Sequence, residues 1–257
     1  MLKLATWNVN SLKIRLEQVL MWFEDNQIDI LALQETKLPD EKFPLNVFTE
    51  RGYHTVYAGQ KTYNGVAVIS REPLSTALTD IPNLIDPQRR ILITTIGQLR
   101  LINLYVPNGA AVGCDKYFYK LDWLSKVKEH IKQELESYPK LAVVGDFNIA
   151  PEDQDVHDPI EWEGSVLVSP EERQAFAQLL DLGLHDSFRI FPQEEKLYSW
   201  WDYRAAGFRR NRGLRIDHIL LSTDLKDSCV AARIDKQPRS VERPSDHTPV
   251  IVELDIT

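Results

Sequence analysis

Short apolar runs of β-strand composition recur along the whole chain, and they constrain the fold more than any other feature. They are rich in leucine, isoleucine and valine, and polar or turn-forming residues end each of them. The runs occupy residues 2–9, 28–33, 53–58, 66–70, 91–96, 99–106, 141–145, 216–222 and 250–254. Runs of this length and composition are typical of strands. We therefore expect a protein built on β-sheet.

Helical periodicity fills several of the intervals between these runs. An apolar face repeats at helical spacing in residues 16–23, and a longer one repeats in residues 121–135. Strands mixed with helices in this way, several strands being joined by short turns, predict an α/β (α+β) protein. Its sheet would be mixed, or two sheets would pack together, with the helices outside.

A third helix has a clear predicted start. Ser169 is a suitable N-cap, Pro170 suits the first helical position, and Glu172 completes a capping box. Gly183 is expected to end this helix, since glycine is favoured just beyond a helix C-terminus.

The organisation of the chain predicts a single domain over residues 1–257. No low-complexity tract, fixed-period repeat or long Gly/Ser linker divides it. No apolar run approaches membrane-spanning length, and the sequence begins with a strand pattern in place of a signal peptide. The two cysteines, Cys114 and Cys229, lie far apart and form no metal-ligand spacing. We expect a cytoplasmic protein without a disulfide framework.

Polar side chains suited to metal and phosphate chemistry stand at the ends of several predicted strands. They are Asn8, Glu35, Asp146, Asn148, Asp217, Asp246 and His247. Charged groups at the ends of buried strands need an ionic partner or a metal ion. Carboxylate and amide oxygens without thiolates suit a hard cation such as Mg²⁺. The pattern therefore predicts a metal site at the edge where the strand ends converge.

The sequence around these residues resembles the successive motifs of the exonuclease III family, within the endonuclease/exonuclease/phosphatase superfamily. The motifs are Trp7-Asn8-Val9-Asn10, Leu33-Gln34-Glu35-Thr36-Lys37, Gly145-Asp146-Phe147-Asn148-Ile149, Leu214-Arg215-Ile216-Asp217 and Ser245-Asp246-His247-Thr248-Pro249. They follow the family order from the first predicted strand to the last, so the resemblance covers essentially the whole chain. Further segments resemble the DNA-repair branch: Tyr63-Asn64-Gly65-Val66-Ala67, Gln88-Arg89-Arg90 and Trp201-Asp202-Tyr203-Arg204.

This resemblance implies a specific fold and activity. The expected fold is a four-layer α/β/β/α sandwich, in which two mixed β-sheets pack face to face with helices outside. The expected function is that of a DNA-repair nuclease dependent on Mg²⁺, or on Mn²⁺ as a substitute. It would cleave 5′ to abasic sites in duplex DNA, act as a 3′→5′ exonuclease and clean blocked 3′ ends, with one site for all three reactions. A monomer without an obligate protein partner is expected.

The resemblance also implies roles for individual residues. Glu35 would be the principal metal ligand, with Asn8 nearby and Asp246 in or near the metal shell. Residues expected in the wider metal environment or at the scissile phosphate are Tyr105, Asn108, Asp146, Asn148 and His247. Asp217 would hold His247. Asp146 is the preferred base for the attacking water and His247 the preferred hydrogen-bond donor to the phosphate, although the residues alone leave these two roles interchangeable.

A net charge of −8 does not favour DNA binding, but a basic patch suffices for it. The strongest basic cluster comprises Arg204, Arg209, Arg210, Arg212 and Arg215, and a smaller one comprises Arg89 and Arg90. Arginine forks suit phosphate contacts. These clusters explain how an acidic protein could hold DNA.

Two residues match positions that wall the abasic-sugar pocket in the family, namely Trp200 and Leu214. A small apolar pocket of this kind would accept an extruded sugar that lacks its base. For Trp200, Leu214, Asn108 and Arg90, ordinary packing or surface roles remain open alternatives. Residues 109–115 and 154–168 match no family role.

Two other functions remain to be tested. A phosphatase or phosphodiesterase for a small or lipid substrate would share the superfamily chemistry, but the arginine-rich loop argues against it. A noncatalytic DNA-binding module is a second alternative. It would gain nothing from carboxylates that face phosphates without a metal ion.

Overall fold

Two mixed β-sheets form the framework of the protein in a computed structural model that describes residues 1–84 and 86–256, apart from the side chain of residue 76. The strands of the first sheet, in order across it, are β13 (Cys229–Ile234), β14 (Val250–Leu254), β1 (Leu2–Asn8), β2 (Ile30–Gln34), β4 (Val66–Ser70) and β3 (His54–Ala58). Only β1 and β2 run parallel, and the other neighbours are antiparallel.

The second sheet repeats this plan. Its strands, in order, are β5 (Leu74–Leu78), β6 (Ile91–Ile96), β7 (Leu99–Tyr105), β8 (Leu141–Asp146), β12 (Asp217–Ser222) and β9 (Leu184–Asp186). Here β7 and β8 form the parallel pair. A short antiparallel ribbon of β10 (Trp200–Trp201) and β11 (Gly213–Leu214) lies apart from both sheets.

The two sheets pack face to face because their central strands are apolar on both sides. In β2, Ile30 and Ala32 point into the core between the sheets, whereas Leu31 and Leu33 point to the outer face. Successive side chains of a strand point to opposite faces, so a strand covered on both faces is a continuous apolar run. This is the pattern that the sequence showed.

Helices cover the outer faces. Against the first sheet lie α1 (Leu12–Asp25) and α2 (Leu45–Thr49). Against the second lie α3 (Asp115–Ser137) and α5 (Pro170–Leu180). Single-turn helices α4 (Pro159–Trp162), α6 (Ser187–Ile190) and α7 (Thr223–Lys226) connect other elements. The predicted four-layer sandwich is confirmed. Among the described residues, no helix combines the length and apolar character needed to cross a membrane.

The predicted start of α5 is confirmed. The Ser169 side chain accepts a hydrogen bond from the Glu172 amide, and the Glu172 carboxylate accepts one from the Ser169 amide. The helix ends one residue earlier than predicted. The helix ends at Leu180 with Asp181 as its C-cap, and Gly183, at φ 91°, lies in the turn that leads to β9. The strands β5, β9 and β13 escaped prediction because they are sheet edges, where apolar alternation is weak.

Candidate active site

The polar strand ends meet at one edge of the sandwich because of the strand directions. The parallel strands β1 and β2 both end there, at Asn8 and just before Glu35. In the second sheet β8 ends at Asp146, which lies opposite the first residue of the antiparallel β12, Asp217. His247 precedes β14, which runs antiparallel to β1. Side chains from both sheets therefore lie at the same edge of the sandwich.

A glycine allows the second sheet to bring its carboxylate close. Gly145 has φ 140°, and a side chain there would collide with the backbone carbonyl of Leu104 on β7. The close approach of β7 and β8 sets Asp146 beside Tyr105, its register partner. Substitution of Gly145 would push the two residues apart.

Glu35, Asp146 and His247 form the centre of the site. Each offers one ligand atom, and these atoms all lie within 4.8 Å of one another. The Asn8 amide nitrogen donates to Glu35 Oε1 and to Asp146 Oδ2, both at 2.9 Å, and so joins the two sheets. The two carboxylates fit a divalent cation, and their oxygens favour a hard one, while the His247 ring faces the same space.

The protonation of the site depends on a buried chain of charges. His247 Nδ1 lies 2.8 Å from Asp217 Oδ2, and its Nε2 lies 3.7 Å from Asp146 Oδ2. Burial by itself lowers the pKa of His247, but the carboxylates of Asp217, Asp146 and Asp246 outweigh burial and raise it to about 10. Burial raises the pKa of Asp146 to about 7, against the opposing charge of His247. The imidazole therefore carries the proton and can donate from Nε2.

Two asparagines and a tyrosine line the site beside Asp146. The Asn148 side chain donates to the Val106 carbonyl at 2.9 Å, and the Asn108 side chain donates to Asn148 Oδ1 at 3.1 Å. Burial, followed by the charges of Glu35 and Asp146, raises the pKa of Tyr105 well above its ordinary value. Tyr105 therefore stays a neutral O–H donor.

Asp246 lies outside the group of three ligand atoms. Its Oδ1 accepts from the Asn10 side chain at 2.9 Å, and its Oδ2 accepts from Trp200 Nε1 at 3.1 Å. A place for Asp246 in the metal shell stays a prediction. Sequence reasoning did not assign Asn10 a role, although it stands in the first motif.

Lys37 is a second residue that the predicted site lacked. Its ammonium lies 2.7 Å from Glu35 Oε2. Burial by itself raises the pKa of Glu35, but Lys37 outweighs burial and holds this pKa below its ordinary value. The side-chain exposures are 27% for Lys37 and 17% for Glu35, so the pair is partly buried. Lys37 stands in the second family motif, two residues after Glu35, and this was the signal that the sequence carried for it.

Fewer arginines are exposed in the structure than the predicted basic cluster contains. Arg215 is wrong as a phosphate contact because it is buried and forms ion pairs with Asp155 and Asp186. Arg212 pairs with Glu161 on α4. Arg204, Arg209 and Arg210 are exposed, and Arg204 pairs with Asp202. Arg90 stacks on the Tyr105 ring at 4.6 Å.

The residues expected to wall an abasic-sugar pocket differ in exposure. Trp200 is half-buried, whereas Leu214, its register partner across the ribbon, is fully buried. Trp162 from the unassigned 154–168 segment packs edge-on against Trp200 at 6.5 Å between ring centroids. Trp201 is a core residue. Trp200 and Trp162 thus form the accessible aromatic surface beside Asp246.

A buried histidine on β12, packed against Phe147 and Phe176, is held neutral. Arg215 donates to His218 Nδ1 at 3.0 Å, and His218 Nε2 donates to the Ile149 carbonyl at 2.9 Å. Burial, reinforced by Arg215, lowers the pKa of His218 to about 4.

Stability should therefore fall with acidification through this group. The unfolded chain binds a proton near pH 6.5 and the folded chain only near pH 4, so stability is full above pH 6.5 and is lost as pH falls towards 4. We expect a loss of roughly 3 kcal/mol from His218 over this range. Urea unfolding of the wild type and of His218→Gln, which keeps a donor and an acceptor but does not titrate, measures it. Equal pH dependence of the two proteins would contradict the assignment.

Comparison with known proteins agrees with this geometry. The Endonuclease/Exonuclease/phosphatase family matches residues 5–247. Exodeoxyribonuclease III of Haemophilus influenzae is 36% identical, over 98% of this chain and 100% of that protein. The structure of the 3′ phosphatase NExo from Neisseria bound to product DNA hairpin has a TM-score of 0.98 at 46% identity, and that of an AP endonuclease from Archaeoglobus fulgidus has 0.96 at 37%, each covering 100% of both chains.

The family match spans nearly the whole chain, and Glu35, Asp146 and His247, a group that could hold a metal ion, stand at the strand ends that carry the family motifs. The protein is a metal-dependent, phosphodiester-hydrolysing nuclease of DNA repair, and it belongs to the Endonuclease/Exonuclease/phosphatase family.

Proposed function

We propose that this nuclease uses Mg²⁺, or Mn²⁺ in its place, to process DNA at damaged sites and ends. Its substrates would be abasic sites in duplex DNA, cleaved on the 5′ side, together with 3′ phosphates and other blocked 3′ ends. It would also remove nucleotides in the 3′→5′ direction. One observation carries the proposal: Asn8 links Glu35 of the first sheet to Asp146 of the second, within reach of the charged His247.

The metal ion would be held by Glu35, with Asp146 and His247 facing it and Asp246 close by. A bound divalent cation neutralises charge on the phosphoryl oxygens and acts as a Lewis acid. Oxygen ligands support Mg²⁺ as the ion. Lys37 would keep Glu35 ionised and ready to bind, because it lowers the pKa of that carboxyl against the effect of burial.

Asp146 and His247 have separate roles at the scissile phosphate. Asp146 takes a proton from the attacking water, whose oxygen forms the new bond to phosphorus as the bond to the 3′-oxygen breaks. His247 donates a hydrogen bond from Nε2 to a phosphoryl oxygen, with Asp217 fixing its ring. The leaving 3′-oxygen becomes a 3′-hydroxyl with a proton from solvent. The raised pKa of His247 supports this assignment, since a protonated imidazole cannot act as the base.

The remaining polar side chains would hold the phosphate. Asn148 and Tyr105 supply neutral donors, and Asn108 orients the Asn148 amide. Exposed Arg209 and Arg210 would contact the DNA backbone outside the site, with Arg90 and Arg212 at its margins. We also propose that the protein works as a monomer, as one catalytic domain, in the cytoplasm, without an obligate protein partner.

End processing and abasic-site cleavage place different demands on Trp200. An extruded abasic sugar needs an apolar wall, and Trp200 is the half-buried aromatic residue beside Asp246, whereas Leu214 lies behind it. A terminal 3′ phosphate needs no extrusion from a continuous duplex. We therefore expect end processing to depend less on Trp200 than abasic-site cleavage does.

Trp200→Ala is expected to lower kcat/KM for an abasic duplex about tenfold, since burying about two CH₂ groups of the sugar against the indole contributes roughly 1.5 kcal/mol. Activity on a 3′-phosphate duplex should change less. Trp200→Phe is the matched control, because it keeps an aromatic ring and removes the hydrogen bond to Asp246. Unchanged abasic cleavage and preference in Trp200→Ala would rule out this pocket.

The substrate proposal is tested with labelled duplexes that share one sequence. One contains a single abasic analogue, one is intact, and one ends in a 3′ phosphate. We expect internal cleavage of the abasic duplex, trimming of the intact duplex and release of phosphate from the 3′-phosphate duplex. Loss of all three activities in Asp146→Asn would support a common site. Cleavage of the abasic duplex only by trimming from its ends would remove the endonuclease activity from the proposal.

A further inference from the structure

A fully buried lysine lies directly behind the two asparagines of the site. Lys120 extends from α3, and none of its surface is exposed. Its ammonium donates to the backbone carbonyl of Asn148 at 2.6 Å and to that of Asn108 at 3.2 Å. The third partner is the carboxylate of Glu172. All three donors of the ammonium group are therefore used, and two of them bind the backbone of site residues.

These two carbonyls belong to irregular backbone. Neither Asn108 nor Asn148 lies in a helix or strand, so no regular element supplies their hydrogen bonds. Asn148 has φ 50°, and Gly109 directly after Asn108 has φ 95°, where an added Cβ would lie 3.2 Å from Cδ of Lys120. Local contacts reach only the amides of this backbone, from Asn148 N to Asp146 Oδ1 at 2.9 Å and from Ala110 N to Asn108 Oδ1 at 3.1 Å, whereas Lys120 binds both carbonyls.

The Glu172 carboxylate is itself held rigidly. Its Oε2 accepts from the Ser169 hydroxyl at 2.7 Å and from the Ser169 amide at 3.2 Å, within the capping box of α5. The ammonium is thus anchored to a helix terminus. A buried ion pair contributes little net stability compared with an apolar pair of the same shape, so stability alone gives no reason for a lysine here.

We propose that Lys120 is a positioning residue for phosphodiester hydrolysis. It fixes the backbones of Asn108 and Asn148 so that their amides face the phosphate, and Glu172 keeps the ammonium in place. The inference rests on the proposed role of Asn148 at the phosphate. Because Lys120 lies behind the site, it acts through these two residues and does not touch the substrate.

The test uses a variant that removes both buried charges, Lys120→Met with Glu172→Gln, so that no unpaired charge remains. We expect kcat on the abasic or 3′-phosphate duplex to fall about 10- to 100-fold with little change in KM, as expected for a small misplacement of groups at the reacting centre. Nuclear magnetic resonance should show displaced side-chain amide signals for Asn108 and Asn148.

Two matched controls separate positioning from stability. Glu172→Gln alone loses the ion pair but keeps a side-chain oxygen that can accept from the ammonium, and both carbonyl contacts remain, so its melting temperature should fall while kcat stays close to wild type. Lys128→Met removes another contact between α3 and α5, the one from Lys128 to Gln178 at 3.1 Å, which does not reach the site. Its kcat and the two asparagine signals should not change.

Lys120→Arg keeps the charge and the donors, and it serves as the test if the double variant does not fold. Its displaced donors should shift the Asn108 and Asn148 signals and lower kcat. Three results would overturn the proposal. The first is a folded double variant with wild-type kcat, and the second is an equal loss of kcat in Glu172→Gln. The third is a Lys120→Arg variant with shifted asparagine signals and full kcat. Full activity of Asn148→Ala would instead remove the proposed role of Asn148.

Discussion

Replacing Asp146 with asparagine is expected to lower kcat about 10²- to 10⁴-fold with little change in KM, which is the range for loss of a positioned general base. The substitution keeps the shape of the side chain, and its carbonyl oxygen can still accept from Asn8. It removes the carboxylate whose raised pKa, about 7 because of burial, is suited to proton transfer near neutral pH. Steady-state kinetics on a 3′-phosphate duplex measures the effect.

Binding must be separated from catalysis in this experiment. Fluorescence anisotropy with the same labelled duplex should show similar affinity for wild type and Asp146→Asn, because Asp146 repels phosphate when ionised and its loss removes no basic contact. Substantial activity of Asp146→Asn, within about tenfold of wild type, would assign the base to another residue.

His247→Gln is expected to lower kcat about 10²- to 10³-fold, as found when one fixed donor to a developing negative charge is removed. The glutamine can still donate, but it carries no charge. In the wild-type protein the imidazolium persists at pH 7–9 and is lost only as pH rises through about 10, where activity should decline. Imidazole signals followed by nuclear magnetic resonance against pH, without added metal, report this titration.

Asp217→Asn is the companion variant because it removes the charge at 2.8 Å from His247 Nδ1 while keeping a side chain of the same shape. The pKa of His247 should drop in it, and the alkaline decline in activity should move to lower pH. A His247 that titrates near its ordinary 6.5 in the wild-type protein would contradict its role as the charged donor.

The strand-end residues were predictable because each is a local feature. Asn8, Glu35, Asp146 and His247 stand next to apolar runs, and strand direction brings the ends of such runs to one edge. The same runs predicted a mixed sheet or two packed sheets with helices outside, and the resemblance to the family chose the four-layer sandwich. Features that depend on neighbouring residues, such as the apolar runs and their polar ends, could therefore be predicted from the sequence.

The remaining features depend on partners far away in the chain. Arg215 looked like a DNA contact because its neighbours are basic, but its ion partner Asp155 lies 60 residues away. Lys120 binds the carbonyl of Asn148, 28 residues distant, and looked like one more polar residue of a long helix. Leu214 is buried by the packing of the ribbon, which no local pattern encodes.

Metal dependence of cleavage is the direct test of the proposed metal site at Glu35. The protein is stripped with chelator, and cleavage of the abasic duplex is followed as Mg²⁺ is added back, for wild type and for Glu35→Gln. We expect no cleavage in chelator and recovery with Mg²⁺, with Glu35→Gln needing at least about tenfold more metal ion. Cleavage that resists chelator, or the same Mg²⁺ requirement in both proteins, would contradict a metal site at Glu35.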